Sequence, residues 1–245
     1  MVFFRSCLFF LWFAIVSVVI AVGGVWVLLL PRRATELLSK TWSRAVLFGL
    51  KWIAGLGYEV RGTVPKGAVL VAAKHMSMWD TVMLYVLLDD ACAVVKRSLL
   101  NVPFYGWYLR KAGVIAIDRD GKASALKQMV AEAKAALAGH RPLFIFPEGT
   151  RKAPGMPPDY KPGVAALYTQ TGTACVPVAL NSGLFWTGPG GFLKKPGRIV
   201  IAFLPPIAPG LKRAEFMHRL ESDIETATGQ LVQEGLNLLK RRNSR

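Results

Sequence analysis

An uncharged apolar segment near the start of the chain constrains its fold more than any other feature. Residues Ser6 to Leu30 contain no Asp, Glu, Lys or Arg. A helix rises about 1.5 Å per residue, so this segment is long enough to cross a hydrocarbon core roughly 30 Å thick. The apolar part of a cleaved signal peptide has only about 7–15 residues and precedes a small-residue cleavage site. Here the segment ends in LLLPRR, and we therefore expect a membrane-associated helix that either spans the bilayer or lies in one leaflet.

Basic residues around the apolar segment predict its orientation. Arg5 and the amino terminus stand before it, whereas several basic residues follow it closely: Arg32, Arg33, Lys40, Arg44 and Lys51. Because basic residues favour the cytoplasmic side of a membrane, the rest of the chain is expected at the cytoplasmic face of the inner (plasma) membrane.

A second helix is predicted from Ala34 to Gly57. Its polar residues Glu36, Lys40, Arg44 and Lys51 share one face, and apolar residues, two tryptophans among them, cover most of the rest. A basic face with tryptophans beside an apolar segment is typical of a helix that lies in the membrane interface. Packing of this helix against its own domain is the alternative.

The composition indicates which partners the chain attracts. Its 245 residues are 53% hydrophobic and carry a formal net charge of +16. Such a charge favours an anionic surface or acidic substrates, and the long apolar segments point to a phospholipid membrane rather than to nucleic acid. The three cysteines lie far apart, without a CxxC pair, so we expect a reduced, cytosolic setting and no metal site.

After Gly62 short apolar runs alternate with helical patterns. Strands are predicted at Ala68–Ala73, Ala91–Val95, Val114–Asp118, Leu143–Phe146, Ala174–Leu180 and Arg198–Leu204. Helices are predicted at Ser77–Leu88, Phe104–Lys111, Ser124–Ala138, Pro162–Thr171 and Arg213–Thr228, followed by a mobile basic tail. This alternation predicts an α/β fold with a mostly parallel sheet flanked by helices. The expected division is 1–61 for two membrane-anchoring helices and 62–245 for a cytoplasmic catalytic domain.

His75 and Asp80, in the stretch KHMSMWD, follow a predicted buried strand. Ligands bind at this edge of parallel sheets. One interpretation is a capping box, with Ser77 as the N-cap residue and Asp80 at the third helical position. The other is a catalytic pair, in which Asp80 reaches back to one imidazole nitrogen and leaves the other to accept a proton. The sequence leaves both interpretations open.

The stretch FPEGTR, Phe146 to Arg151, also follows an apolar strand. Gly149 allows the backbone to approach a ligand, and Arg151 offers a forked donor that matches a phosphate. Arg119 stands at another strand end, and Lys161 adds a positive charge. Together these residues predict a phosphate-binding cleft on the same edge as His75.

These motifs resemble the glycerolipid acyltransferase family, and within it the 1-acylglycerol-3-phosphate O-acyltransferases. The resemblance rests on His75-x4-Asp80, FPEGTR, the block GVIAIDR (Gly113 to Arg119) and the block VPVAL (Val176 to Leu180), which keep the family's order. It covers roughly residues 62 to 206. Two positions depart from the family pattern: Lys74 stands where asparagine is common, and Ala116 replaces a frequent aromatic residue.

The resemblance implies a role for each of these residues. His75 would be the general base on the acceptor hydroxyl, Asp80 would orient it, and the hydroxyl would attack an acyl thioester without an acyl-enzyme. The residues implied in binding the glycerol phosphate, or in shaping its site, are Arg119, Glu148, Gly149, Thr150, Arg151, Lys161 and Pro177. The implied substrates are lysophosphatidic acid and either acyl-CoA or an acyl carrier protein, with no cofactor, and the product would be phosphatidic acid for phospholipid synthesis.

Other functions remain as alternatives at this point. A membrane lipid esterase could use His75 and Asp80 with a serine, although the chain has no G-x-S-x-G elbow. A basic membrane protein without enzymatic activity would explain the charge but not the polar clusters at strand ends. Within acyl transfer, glycerol-3-phosphate or a lyso-aminolipid could replace lysophosphatidic acid as acceptor.

Overall fold

The computed structural model describes residues 1–118, 122–187 and 190–243. The α-helices are α1 (Val2–Gly23), α2 (Arg32–Trp52), α3 (Met78–Leu87), α4 (Tyr105–Ala112), α5 (Lys122–Ala138), α6 (Gly163–Thr171) and α7 (Arg213–Asn243). The strands are β1 (Leu56–Arg61), β2 (Leu70–Ala73), β3 (Cys92–Lys96), β4 (Ile115–Ile117), β5 (Leu143–Ile145), β6 (Cys175–Leu180) and β7 (Gly197–Phe203). Short 3-10 helices lie at Val25–Leu29, Arg97–Asn101 and Ser182–Leu184.

The strands form one seven-stranded sheet in the order β1-β7-β6-β2-β5-β3-β4. Neighbouring strands are parallel, except that β6 and β7 are antiparallel. The central strands β2, β5 and β6 consist wholly of buried residues, as expected where helices cover both faces of a parallel sheet. The predicted α/β fold class is thus confirmed. Because β2 to β6 run the same way, their carboxyl ends meet at one edge, and this edge carries the site.

Two predictions about element boundaries are wrong. The second helix ends at Trp52, before the left-handed turn at Gly55 (φ 68°), rather than at Gly57. The next residues form β1, which pairs with β7 along its whole length, so the sheet begins before Gly62. The last helix continues through Asn243, although its predicted end was Thr228 and the tail was expected to be mobile. Tertiary contacts explain the extension, because Leu231 is buried and its carbonyl accepts a hydrogen bond from Asn181.

The two N-terminal helices pack against each other and against the domain. The indole nitrogen of Trp12 on α1 donates to the carbonyl of Ala45 on α2 at 3.0 Å, and Trp42 on α2 donates to Ser17 on α1 at 3.0 Å. α1 is long and apolar enough to cross a membrane, and only Ser6 and Phe9 of its residues are buried. Such an exposed apolar helix is suited to contact with lipid.

The polar side of α2 divides between the domain and the exterior. Lys40 lies 2.7 Å from both Glu36 and Asp89, and the amide of Asp90 donates to Glu36 at 2.7 Å. Lys40, Arg44 and Lys51 lie within about 40° of one another around the helix, as predicted, and Lys40 is at the edge of this face that contacts the domain. The exposed residues of the helix are here called the outer face of α2: Arg33, Leu37, Thr41, Arg44, Phe48, Lys51 and Trp52.

Candidate active site

His75 and Asp80 come together at the carboxyl end of β2. His75 lies in the turn that follows the strand, and Asp80 lies in the first turn of α3. Imidazole Nδ1 is 3.0 Å from Asp80 Oδ2, and the carboxylate is fully buried, whereas the His75 side chain is 12% exposed. A carboxylate on Nδ1 fixes the tautomer in which Nε2 can accept a proton. This is the geometry that a general base requires.

The Asp80 carboxylate also caps α3. Its Oδ2 accepts hydrogen bonds from the amides of Met76 (2.7 Å) and Ser77 (2.8 Å), while the Ser77 hydroxyl accepts from the amide of Trp79 at 3.2 Å. The capping box and the His–Asp pair are thus not alternatives, because one carboxylate makes both sets of contacts. The capping hydrogen bonds hold the Asp80 carboxylate in place, and its Oδ2 also contacts His75 Nδ1.

Ser182 completes the surroundings of Asp80, and the sequence reasoning missed it. Its hydroxyl donates to Asp80 Oδ1 and accepts from the Ser77 hydroxyl at 2.8 Å. Ser182 follows β6, which neighbours β2 in the sheet. The signal that could have identified it is the one used for His75, namely a polar residue directly after a buried parallel strand.

The His75 ring is held from a second side. It stacks on Phe146 with ring centroids 3.8 Å apart and an interplanar angle of 13°. Phe146 follows β5, the other neighbour of β2. The His75 carbonyl accepts a hydrogen bond from the amide of Lys152 at 2.8 Å. The strand ends on both sides of β2 therefore position the imidazole.

The FPEGTR stretch turns sharply beside His75. Gly149 has φ 65°, a left-handed conformation that suits glycine, and its amide donates to the Phe146 carbonyl at 2.9 Å. Thr150 and Arg151 follow and line the same cavity as His75. Lys161 also lines the cavity, but its ammonium already pairs with Asp159 at 2.6 Å. Arg151 is therefore the better placed cation for an incoming anion.

Glu148 is buried and interacts with a lysine. The Lys74 ammonium lies 2.9 Å from Glu148 Oε1 and 2.7 Å from Glu225 Oε1 on α7. The hydroxyl of Tyr160 donates to the same Glu225 oxygen at 2.9 Å. Burial raises the pKa of Glu148, and the hydrogen bond from Lys74 opposes that rise.

One predicted residue belongs to a part of the chain that the structure does not describe, another lies within the sheet, and one lining residue was missed. Arg119 falls outside the described residues, although the preceding Asp118 lines the cavity. Pro177 is buried inside β6, paired with Ala72 of β2, and it does not contribute to the described lining. Lys96 is the last residue of β3 and does line the cavity. A cation at a strand end is the same signal that identified the others.

One cavity of about 1260 Å³ joins these parts. Its lining includes His75 and residues 148–151 at the sheet edge, together with residues of helices α1 to α5 and of β3, with Phe13, Val18 and Trp42 among them. Such a shape accommodates a charged group at the sheet edge and a long apolar chain between the helices. Among the described residues, no group of three or more His, Cys, Asp or Glu could hold a metal ion.

Comparisons with known proteins agree with this geometry. Residues 57–181 match the family model described as Acyltransferase. The chain is 36% identical over 180 residues to the 1-acyl-sn-glycerol-3-phosphate acyltransferase of Pseudomonas aeruginosa, covering 72% of this chain and 70% of the relative. It is 30% identical over 170 residues to 1-acyl-sn-glycerol-3-phosphate acyltransferase alpha of Mus musculus, covering 67% and 60%.

The fold also has a counterpart among solved structures. The crystal structure of the 1-acyl-sn-glycerophosphate acyltransferase of Thermotoga maritima matches with a TM-score of 0.79 and 21% identity, over 94% of this chain and 98% of that chain. The sheet, the flanking helices and the strand-end site thus define an acyltransferase fold. The chain belongs to the acyltransferase family, and it is an O-acyltransferase. The family resemblance seen in the sequence is confirmed.

Proposed function

We propose that this enzyme transfers a fatty acyl group from a thioester to the sn-2 hydroxyl of 1-acylglycerol-3-phosphate, which gives phosphatidic acid for phospholipid synthesis. The observation that carries the proposal is the continuous cavity, which joins the His–Asp pair both to the Arg151 turn and to the apolar space between the helices. A lysophosphatidic acid has the matching chemistry, with a phosphate at one end and an acyl chain at the other. The names of the relatives support the same acceptor.

In this mechanism His75 acts as the general base. Its Nε2 takes the proton from the acceptor hydroxyl as the hydroxyl oxygen attacks the thioester carbonyl carbon. Asp80 holds Nδ1 and stabilises the resulting imidazolium. The tetrahedral intermediate then breaks its C–S bond, the acyl ester forms, and the imidazolium returns the proton to the departing thiolate. The described site needs no cofactor for these steps and no covalent acyl-enzyme.

The acceptor phosphate would bind at the FPEGTR turn. Arg151 supplies a forked donor, and Gly149 and Thr150 give close access to the backbone. Lys161 and Arg119 would add positive charge, and Glu148 would bind the glycerol part. Pro177 would act only indirectly, by supporting β2 from within the sheet, because it is buried beside Ala72.

We further propose a division into membrane-anchoring helices and a cytoplasmic acyltransferase domain at the inner (plasma) membrane. Since β1 belongs to the sheet, the boundary moves from residue 61 to the turn at Gly55. The exposed α1 and the outer face of α2 would contact the phospholipid surface. The acyl donor, acyl-CoA or an acyl carrier protein, would approach from the cytoplasm, attracted by the net charge of +16.

The hydrogen bonds of the nearby serine hydroxyls argue against an esterase function. Ser77 and Ser182, the serines nearest the pair, bond to each other and to Asp80 rather than to His75. Neither is arranged as a nucleophile activated by the imidazole. The structure places these hydroxyls in support of the carboxylate.

Purified protein in mixed micelles tests the proposal directly. Each donor is offered with lysophosphatidic acid, glycerol-3-phosphate or a lyso-aminolipid, and products are measured by mass spectrometry together with the released thiol. We expect one diacyl product per thiol, with lysophosphatidic acid as the best acceptor. Free fatty acid as the main product would instead establish an esterase, and a better rate with an acceptor lacking phosphate would overturn the acceptor assignment.

A further inference from the structure

Lys74 is a buried cation immediately before His75 in the chain. Its side chain is 2% exposed, and its ammonium contacts both Glu148 (side chain 0% exposed) and Glu225 (28%). One ammonium group therefore pairs with two carboxylates. Since a buried charge is costly unless it is paired, the ionised state of the fully buried Glu148 depends on this lysine.

Glu148 depends on Lys74 most strongly, because it is the more buried of the two carboxylates. Its Oε1 binds the ammonium, while its Oε2 is buried and meets no donor at hydrogen-bond geometry within the described residues, although the backbone amide of His75 is close enough to lower the pKa of Glu148. The residue lines the substrate cavity. An unpartnered carboxylate oxygen on a residue of that lining is suited to accept a hydrogen bond from a ligand hydroxyl.

The charged and titratable groups around Glu148 come from three elements. Lys74 follows β2 and lowers the pKa of Glu148, whereas burial, the largest effect, and Glu225 on α7 both raise it. Tyr160, in the loop before α6, donates to Glu225, and Glu221 on α7 adds negative charge near Tyr160. Lys74 is thus the cation that opposes the rise in the pKa of Glu148 caused by burial and by the neighbouring acidic group.

We propose that Lys74 is a positioning residue that keeps Glu148 ionised and directs its second carboxylate oxygen to the acceptor. The inference rests on the proposed function, because the ligand hydroxyl belongs to the acyl acceptor. It also concerns a position where the family resemblance implies asparagine and this chain has Lys74. The network additionally ties α7 to the strand end that carries His75.

The pH profile of Lys74→Met tests the proposal. Methionine is of similar length and has no charge, so Glu148 loses the cation that favours its ionised form. An opposite charge at this range lowers a carboxyl pKa by about 1–3 units, so its removal raises the pKa of Glu148. We expect the acidic limb of kcat/KM for lysophosphatidic acid to move upward by about 1–2 pH units, with the loss of activity largest at low pH.

Two further variants should move the acidic limb of kcat/KM differently, one to lower pH and the other to an intermediate position. Glu225→Gln removes the acidic neighbour and leaves Lys74 to Glu148 alone, so the acidic limb should move to lower pH. In the double variant Lys74→Met/Glu225→Gln the limb should lie between those of the two single variants. The matched control is Lys212→Met at an exposed lysine outside the cavity lining, which should keep the wild-type profile.

Parallel pH profiles that differ only in height, for all three network variants, would overturn the proposal and leave Lys74 with a purely structural role. A measurement without turnover separates this failure from a failure of the proposed function. The carboxyl infrared band of Glu148, identified by its loss in Glu148→Gln, reports ionisation directly. It should titrate at higher pH in Lys74→Met than in the wild type, and an unchanged titration would refute the inference even in an active enzyme.

Discussion

Replacement of Asp80 by asparagine separates the two sets of contacts that its carboxylate makes. An amide oxygen at the place of Oδ2 can still accept from the amides of Met76 and Ser77 and from His75 Nδ1. The amide NH2 then falls at the place of Oδ1, where the Ser182 hydroxyl can turn to accept. The helix cap therefore survives the change, and the lost property is the negative charge.

The magnitude follows from the distance. An imidazolium and a carboxylate 3.0 Å apart attract each other by about 5 kcal/mol at an effective dielectric constant of about 20. The amide oxygen still accepts the Nδ1 hydrogen bond, so roughly 3–4 kcal/mol should be lost from the transition state. This corresponds to a fall in kcat of about 10²–10³-fold.

Steady-state kinetics and thermal unfolding together check this expectation. For Asp80→Asn we expect the fall in kcat with a decrease in Tm of at most about 4 °C. Asp80→Ala is the matched comparison, because it also leaves the buried amides of Met76 and Ser77 without an acceptor. Its Tm should fall by roughly 5–15 °C, with a similar loss of rate. If Asp80→Asn retains more than about a third of wild-type kcat, the carboxylate charge is not part of the catalytic step.

Three further changes test other parts of the site. Arg151→Ala should raise KM for lysophosphatidic acid at least about tenfold, because a charge-assisted contact contributes about 1.5–3 kcal/mol; Lys212→Ala is the control, and an equal loss for an acceptor without phosphate contradicts the assignment. Ser182→Ala should lower kcat about 3–30-fold with KM unchanged, since one supporting bond contributes about 0.5–2 kcal/mol; unchanged kcat would show that the bond is dispensable. Replacing the three basic residues of the outer face of α2 with glutamate should weaken binding to anionic vesicles more than to zwitterionic vesicles, and equal weakening would exclude an electrostatic contact.

The sheet and the pair at its edge could be predicted from the sequence because each depends on short-range patterns. Buried parallel strands appear as apolar runs, and polar residues directly after them fall on one edge. Thus His75 and Arg151, far apart in the chain, were placed in the same site. The capping box of Ser77 and Asp80 could also be predicted from the sequence, since a capping box has a fixed spacing.

The remaining features depend on contacts between distant segments. Nothing local in β1 shows that it pairs with β7, and Gly55 was the one signal that the preceding helix had ended. The contact between Lys40 and Asp89 joins α2 to a residue outside that helix. Likewise, Glu225 contacts Lys74 from the opposite end of the chain. A helical wheel or a strand pattern contains no information about such partners.

The cavity described above has one wall made of the helices that would hold the enzyme to the membrane. Under the proposed function, the membrane anchor and the wall of the substrate cavity would be the same helices, so α1 could not be replaced by an unrelated anchor without a change in the cavity. A substitution on its inward side, at Phe13 or Ser17, would alter the space available to an acyl chain, whereas one on its outward side would alter only its fit to the lipid. Adaptation to a new bilayer and selection among fatty acids would consequently be linked in this enzyme, because a shift or rotation of one helix would change both.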